Sequence, residues 1–275
     1  MKVPNIQIRL LTSPEELEQV RDLEAKVWDG DDPTPVHQTA TAVKHGGIVL
    51  GAYDGDQLIG FQYSFAGFNG TKTYLCSHIL GITPEYRSSG IGAKLKWHQR
   101  TEALAKGYDL ITWTYDPLET ANGYLNIKKL GAICRSYLPN FYGEMTDTLN
   151  EGLPSDRFMV EWWIKSDKVS QKADQKQHQN TKKTSLSLIQ TSLNPNGLPT
   201  PESIVLNQMG ATTSLIVPVP ASFQTLKKQD AVLAKQWRMY TRDVFTHYFQ
   251  HGWKVDDFMK SESSKDALHY YVLSK

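Results

Sequence analysis

The sequence predicts an α/β (α+β) chain in two parts, a larger region of mixed strands and helices followed by a small C-terminal α/β subdomain. Three observations carry this. Segments whose apolar residues recur every second position alternate with segments of period 3.6. Asp54-Gly55-Asp56 reads as a hairpin turn between two apolar runs, and Asn69-Gly70 leads into a third. Residues 166–183 are dominated by Lys, Gln, Asp and Asn, with Val169 and Ala173 their only apolar members, and cannot bury enough surface to fold alone. This divides the chain into a domain over 1–165, a polar linker over 166–183 and a subdomain over 184–275.

The elements follow in order. Residues 6–11 alternate as a strand, and Ser13-Pro14-Glu15-Glu16 supplies a cap, a proline for the first helical position and two acids ahead of an amphipathic helix reaching Trp28. A short helix is expected over 36–45, then strands over 48–53, 58–65 and 73–82. From 92 to 106 the pattern is helical, with Ile91, Leu95, Trp97, His98, Leu104 and Ala105 on one broad face that Lys94 interrupts. Gly107 ends it; 110–115 is a strand, a short helix runs to about Leu130 with Gly131 as its stop, and 158–164 is a further strand. Beyond the linker the pattern is a strand (213–219), one long helix (222–250) striped by Leu233, Trp237, Tyr240, Val244 and Tyr248, and two strands (253–259, 268–273). Such a thin layer has one face to bury, against the first region or a second copy of the chain, so a homodimer is a possible assembly.

Composition narrows the function. With 275 residues, 40% of them hydrophobic, the chain is not disordered as a whole. Thirty Lys+Arg against 29 Asp+Glu give a net charge of +1, with no basic excess for nucleic acid. No window approaches the roughly 18 apolar residues of a membrane span, and the N-terminus lacks an apolar signal segment. Two cysteines, Cys76 and Cys134, fit a reducing compartment, and the expected location is cytoplasmic. No Cys-x-x-Cys or His-x-x-x-His with a third ligand is present, so no metal is expected.

The most informative stretch is Leu80-Gly81-Ile82-Thr83-Pro84-Glu85-Tyr86-Arg87-Ser88-Ser89-Gly90-Ile91-Gly92-Ala93, a strand passing through a turn into a helix. The first N–H groups of a helix lack internal partners and attract anions, and glycines let backbone approach a pyrophosphate closely. Arg-x-x-Gly-x-Gly arises by chance roughly 0.1 times in such a chain; its weight comes from the strand before it and the helix after it. A Rossmann fingerprint would need Gly-x-Gly-x-x-Gly and a P-loop Gly-Lys-Ser/Thr, and neither is present.

Here the sequence resembles the GNAT acyltransferase superfamily, over about residues 6–164. The resemblance implies a mixed, mainly antiparallel twisted sheet flanked by helices and an acyl-CoA cosubstrate, acetyl-CoA or succinyl-CoA, with no prosthetic group. It implies that the backbone of Leu80 and Ile82 pairs with the pantetheine arm and that Arg87, Ser88, Ser89, Gly90, Ile91, Gly92 and Ala93 cradle the pyrophosphate. Asn122 or Asn126 would touch the pantetheine or thioester end. A narrower resemblance is to a bacterial subgroup carrying a Ser-His strand (Ser77-His78), Trp113-Thr-Tyr-Asp-Pro-Leu118, Asn126-Ile-Lys-Lys-Leu-Gly-Ala132, Tyr137-Leu-Pro-Asn-Phe-Tyr-Gly143 and Pro154-Ser-Asp-Arg-Phe158. Relatives there are associated with N-succinylamino acid racemases, which implies succinyl transfer to an amino acid.

The implied reaction is direct attack of an amine on the thioester carbon of acyl-CoA. His78 is the candidate base, since imidazole titrates near pH 6.5 and lies at the offset some GNAT enzymes use; the alternative for it is a packed strand histidine. His98 ranks lower, on the helix face expected to meet the sheet. The usual tyrosine acid is replaced by Ile127, leaving Tyr124, Tyr142 or unassisted thiolate departure. Arg135 and Arg157 are candidates for a substrate carboxylate, and Asp116 or Glu119 for an ammonium. Arg238 and Arg242, one turn apart, read as a solvated helix face, with a CoA-phosphate or inter-subunit contact as the alternative. The acceptor is expected to be a small-molecule amine; a peptide or protein amine, or a non-catalytic CoA-binding sensor, are the other readings.

Overall fold

Helix α1 (Pro14–Trp28) starts at the predicted cap, because Ser13 and Glu16 form a reciprocal capping box: Glu16 N–H donates to Ser13 Oγ (3.3 Å) and Ser13 N–H to Glu16 Oε2 (3.1 Å). The computed structural model describes residues 6–28, 32–145, 151–174, 185–208, 210, 214–261 and 267–275. Within these the chain forms two compact units, residues 1–113 with 163–173 and residues 114–162 with 174–275.

The first unit holds β1 (Ile6–Leu10), α1, α2 (Val36–Lys44), β2 (Ile48–Asp54), β3 (Gln57–Phe68), β4 (Thr73–Ile82), α3 (Ile91–Ala105) and most of β5 (Leu110–Tyr115). The strands lie in the order β1-β2-β3-β4-β5, antiparallel as far as β4. The β4–β5 pair is parallel because α3 makes the crossover. The mixed, largely antiparallel sheet flanked by helices is thus present. Leu17, Val20 and Leu23 of α1 bury against Val49, Tyr53, Phe61 and Tyr63, one face of the period-2 strands. α3 also packs against β1 to β4.

The face of α3 differs from the projected one. Its buried residues are Ile91, Leu95, Lys96, Gln99 and Ala103, while Trp97 is half-buried and His98 is exposed, with Nδ1 against Lys94 O. The projection aligned apolar residues; burial followed the i, i+4 row and took Lys96 and Gln99 with it, both of them bonded to Ser77 of β4.

The second unit contains α4 (Thr120–Gly123), running on into a π-helical turn (Tyr124–Lys129), then β6 (Ile133–Leu138), β7 (Arg157–Trp163), β8 (Ser185–Ser187), a hairpin of β9 (Ile189–Leu193) and β10 (Pro199–Ile204), and β11 (Ser214–Pro220). It ends with α6 (Phe223–Gln229), α7 (Ala231–Gln250), β12 (Lys254–Lys260) and β13 (Leu268–Ser274). Its strand order is β7-β6-β12-β13-β11-β8. Composition divides the chain at the polar stretch, whereas packing groups 114–162 with the C-terminal segment: β6 pairs with β12 at Cys134↔Val255. The polarity of one segment does not say which sheet a later strand extends.

Several elements depart from the pattern reading. β6 was not expected; a register shift between Cys134 and Ser136 breaks its alternation. The first part of the polar stretch is helix α5 (Asp167–Ala173), with Val169 buried, and residues 175–184 lie outside the described set, as does Thr213. The long C-terminal helix is two helices. Asp230 leaves helical geometry (φ −151°, ψ 94°) and its carboxylate accepts Leu233 N–H (2.8 Å), so it caps α7 and interrupts the run. On α7 the buried stripe includes Leu233, Trp237, Thr241, Val244 and Tyr248, and Tyr240 stands off it.

Arg238 is not solvated: it is 1% exposed and bonded through both terminal nitrogens to Asp116, at 2.8 Å to Oδ1 and closer still to Oδ2. Arg242 holds the fully buried Asp156 through Nε (2.8 Å) and Nη2 (2.6 Å). An amphipathic projection cannot see partners more than eighty residues away. No described helix is long and apolar enough to cross a membrane.

Candidate functional site

The cradle residues of the first unit sit where strand becomes helix. After β4, a 3-10 turn (Pro84–Tyr86) is pinned to the β2–β3 hairpin by Tyr86 Oη donating to Asp54 Oδ2 at 2.7 Å. Ser88 (φ 64°) and Gly90 (φ 86°) are both left-handed. A Cβ on Gly90 would meet nothing within 4 Å, so conformation and not crowding requires glycine there. The first backbone bond of the helix is Lys94 N–H to Gly90 O (3.1 Å). Among the described residues the N–H groups of Ser88, Gly90, Ile91, Gly92 and Ala93 have no recorded acceptor, while Ser89 N–H reaches Tyr86 O at 3.4 Å. Free donors at the start of a fifteen-residue helix favour negative charge there. Arg87 is exposed ahead of these donors and donates from Nε to Ile82 O (3.3 Å).

The strand beside the cradle has an open edge. β4 pairs with β5 at Leu75↔Ile111 and Cys76↔Thr112, and from Ser77 onward its recorded pairing is with β3 alone. Thr83 N–H donates to Ile59 O (3.0 Å), so Gly81↔Phe61 falls at the same, hydrogen-bonded phase of the ladder. The N–H and C=O of Leu80 and Ile82 therefore point away from β3, off the open edge. Gly81 between them takes no side chain because its Cβ would lie 2.7 Å from the Phe61 ring and 2.9 Å from that of Trp28. Trp28, the last residue of α1, stands edge-on to Phe61 at 6.0 Å and is 47% exposed, an aromatic wall beside Gly81.

His78 occupies a bulge. Tyr63 pairs with Ile79 and Ser64 with Ser77, so residue 78 has no opposite number. Its ring meets Tyr63 edge-on (5.9 Å) and Phe65 at a tilt (5.6 Å), on the α1/α2 face. Burial against these rings pulls its pKa below the ordinary imidazole value, with the Glu24 carboxylate opposing, so the ring is a neutral base at pH 7.

The remaining candidates belong to the second unit. Ile127 is 1% exposed, so the position where the GNAT pattern has its tyrosine is apolar core. Asn122, exposed, precedes a π turn closed by Leu130 N–H to Leu125 O (2.9 Å), and Asn126, buried, lies within it. The Tyr124 ring has Lys260 Nζ 4.0 Å and Lys129 Nζ 5.5 Å from its centroid. Tyr142 is half-exposed, shares a hydrogen bond with Thr114 Oγ1 (2.9 Å) and lies 5.3 Å from the Arg157 guanidinium, so these two candidates come together.

Arg157 is buried and donates to Asp156 O (3.0 Å), and Asp116 is committed to Arg238. Burial raises the pKa of Glu119, which accepts from Gln224 (2.5 Å). Arg135 is exposed but already forks onto Glu161 (2.8 and 2.6 Å). These partners occupy the groups that the sequence reading offered to substrate. Arg135→Ala is expected to change stability by less than about 1 kcal/mol, read from the urea midpoint, because the pair is solvated on one side. Among the described residues no group of three or more His, Cys, Asp or Glu could hold a metal ion.

No protein-family model matches the chain, and no curated protein matches it. Solved structures similar to it include the ribosomal-protein-S18-alanine N-acetyltransferase from Escherichia coli, at 14% identity over 58% of this chain and 95% of that one, with a TM-score of 0.47. An N-acetyltransferase from Staphylococcus aureus Mu50 matches at 17% identity over 58% and 99%, with a TM-score of 0.48. A GNAT-family acetyltransferase from Streptococcus pneumoniae matches at 16% identity over 57% and 98%, with a TM-score of 0.45. At such identities and scores the likeness assigns no chemistry to this chain.

Proposed function

We propose that the protein is an acyl-CoA-dependent N-acyltransferase of the GNAT type, moving an acetyl or succinyl group to the amine of an amino acid or similar small metabolite. The observation that carries this is the continuity of an anion cradle at residues 87–93 with an open β4 edge and a bulged, neutral histidine. Pyrophosphate takes the free N–H groups of the cradle, the amide-bearing pantetheine arm adds to Leu80 and Ile82 as a strand would, and the thioester is carried toward His78.

There the substrate ammonium gives a proton to the His78 imidazole, and the amine nitrogen bonds to the thioester carbon as the carbonyl π pair moves onto oxygen. The oxyanion collapses, the C–S bond breaks with its electron pair leaving on CoA thiolate, and the second nitrogen proton passes through solvent to the thiolate, giving the amide and free CoA thiol. A thiol titrates near pH 8.5, so departure with little acid help is tolerable, in keeping with Ile127 in place of a tyrosine. That same isoleucine is what favours the second reading, a CoA-binding sensor without transfer.

The test is free-thiol release from acetyl-CoA and succinyl-CoA against D- and L-amino acids, small amines and peptides. Thiol release with amino acids supports the reading; release with peptides alone moves the acceptor to protein amines; CoA binding without release under any acceptor leaves the sensor. Gly92→Asp checks the cradle independently. An acid in the first helical turn favours the helix, so the fold persists, but it competes with pyrophosphate for the same donors. CoA affinity by calorimetry should fall about 30-fold, equivalent to about 2 kcal/mol; unchanged affinity would show that the cradle is misplaced.

A further inference from the structure

We propose that Lys96 is a positioning residue, its buried amine wedged into the fork where β4 and β5 part and clamped to Ser77, so that it sets the bulge carrying His78. What the bulge is for rests on the acyltransferase reading; the clamp does not.

The geometry is specific. The last recorded β4–β5 pair is Cys76↔Thr112, and the next residues along the two strands are Ser77 and Trp113. Lys96 touches both: Nζ donates to Ser77 Oγ at 2.7 Å and lies 3.6 Å from the centroid of the Trp113 ring. Ser77 Oγ also accepts from Gln62 Nε2 (3.2 Å) and donates to Gln99 Oε1 (3.4 Å), so its rotamer is held from three directions. The following residue is the unpaired His78. Side chains alternate along a strand, which puts Ser77 toward α3 and His78 toward the opposite face, so the clamp can reach the histidine only through the backbone of the bulge.

Packing alone does not account for these residues. Lys96 is 4% exposed and Gln62 and Gln99 are fully buried, yet among the described residues no carboxylate pairs with the amine. Gln62 Oε1 and Gln99 Nε2 are left without partners. Apolar side chains of the same volume would fill the space at lower cost. Burial lowers the amine to about 7, with the neighbouring Cys76 thiol opposing the shift. A polar cluster kept at such a penalty beside a strand fork is expected where geometry matters more than stability.

The test pairs Lys96→Met with Ser77→Ala, each removing one end of the clamp. If the clamp sets the bulge, both variants move the backbone amide resonances of His78 and Ile79 while those of α1 stay in place, and both lower kcat for thiol release by roughly 10- to 100-fold. KM for acyl-CoA and CoA affinity should stay within about threefold. Combining Lys96→Met with His78→Ala should add little to His78→Ala alone, since the lysine acts through the bulge. Wild-type resonances and kcat in both variants would overturn the proposal, as would losses in kcat and CoA affinity of equal size, which mark general loosening. Shifted bulge amides in a protein whose wild type releases no thiol from any donor would leave the clamp standing and remove the acyltransferase reading.

Discussion

With His78 as the base of the proposed acyltransferase, replacing it by alanine should lower kcat/KM for thiol release by about 10² to 10⁴, the usual worth of a positioned base, with CoA affinity unchanged. The magnitude follows from placement. The bulge frees residue 78 from the ladder, and the Tyr63 and Phe65 rings limit its orientations. Desolvation lowers the imidazole pKa, so the acid limb of the wild-type profile should lie below pH 6.5, and the base remains unprotonated at neutrality. The same shift carries a stability sign. As pH falls through 6.5 the unfolded chain binds the proton before the folded one, so stability declines from there down to the lower folded value. A His78→Gln enzyme that retains both rate and acid limb would exclude this histidine as the base.

Lys96→Met should stabilise the fold at pH 7 by about 1 to 4 kcal/mol, the range for replacing a buried ionic group with a packed apolar one. The lysine titrates at about 7 in the fold against 10.5 ordinarily. Between those values the unfolded state holds more protons, so wild-type stability rises with pH, by roughly 3 kcal/mol from pH 7 to 9.5. In the variant that rise should be absent. Urea titrations of both proteins across this interval measure the difference directly, and parallel curves would mean that the amine is solvated or paired. The combination of a more stable protein with a slower enzyme is what a residue retained for geometry produces.

The turn into α3 was legible because its physics is local. A strand, a turn with two left-handed residues and a helix start are contiguous in sequence, and backbone donors make the site whatever the rest of the chain does. α1 was legible for the same reason, since Ser13 and Glu16 cap each other across three residues. β6 was not, because the shift between Cys134 and Ser136 hides its alternation. Nor was the break at Asp230, where one carboxylate caps a helix inside a continuous amphipathic pattern.

By itself the sequence determined the mixed α/β class, the antiparallel hairpins, the turn and helix start at residues 87–93 and the histidine on β4, all properties of residues within a few positions of one another. Only the tertiary structure decided that His78 sits in a bulge, that β4 opens beyond Cys76, that Lys96 and Gln99 turn inward, and that Asp116 and Arg238 pair with each other. These depend on partners 13 to 122 positions apart. Burial energy is set by whatever finally surrounds a group, so a lysine or arginine reads as solvated until its surroundings are assembled.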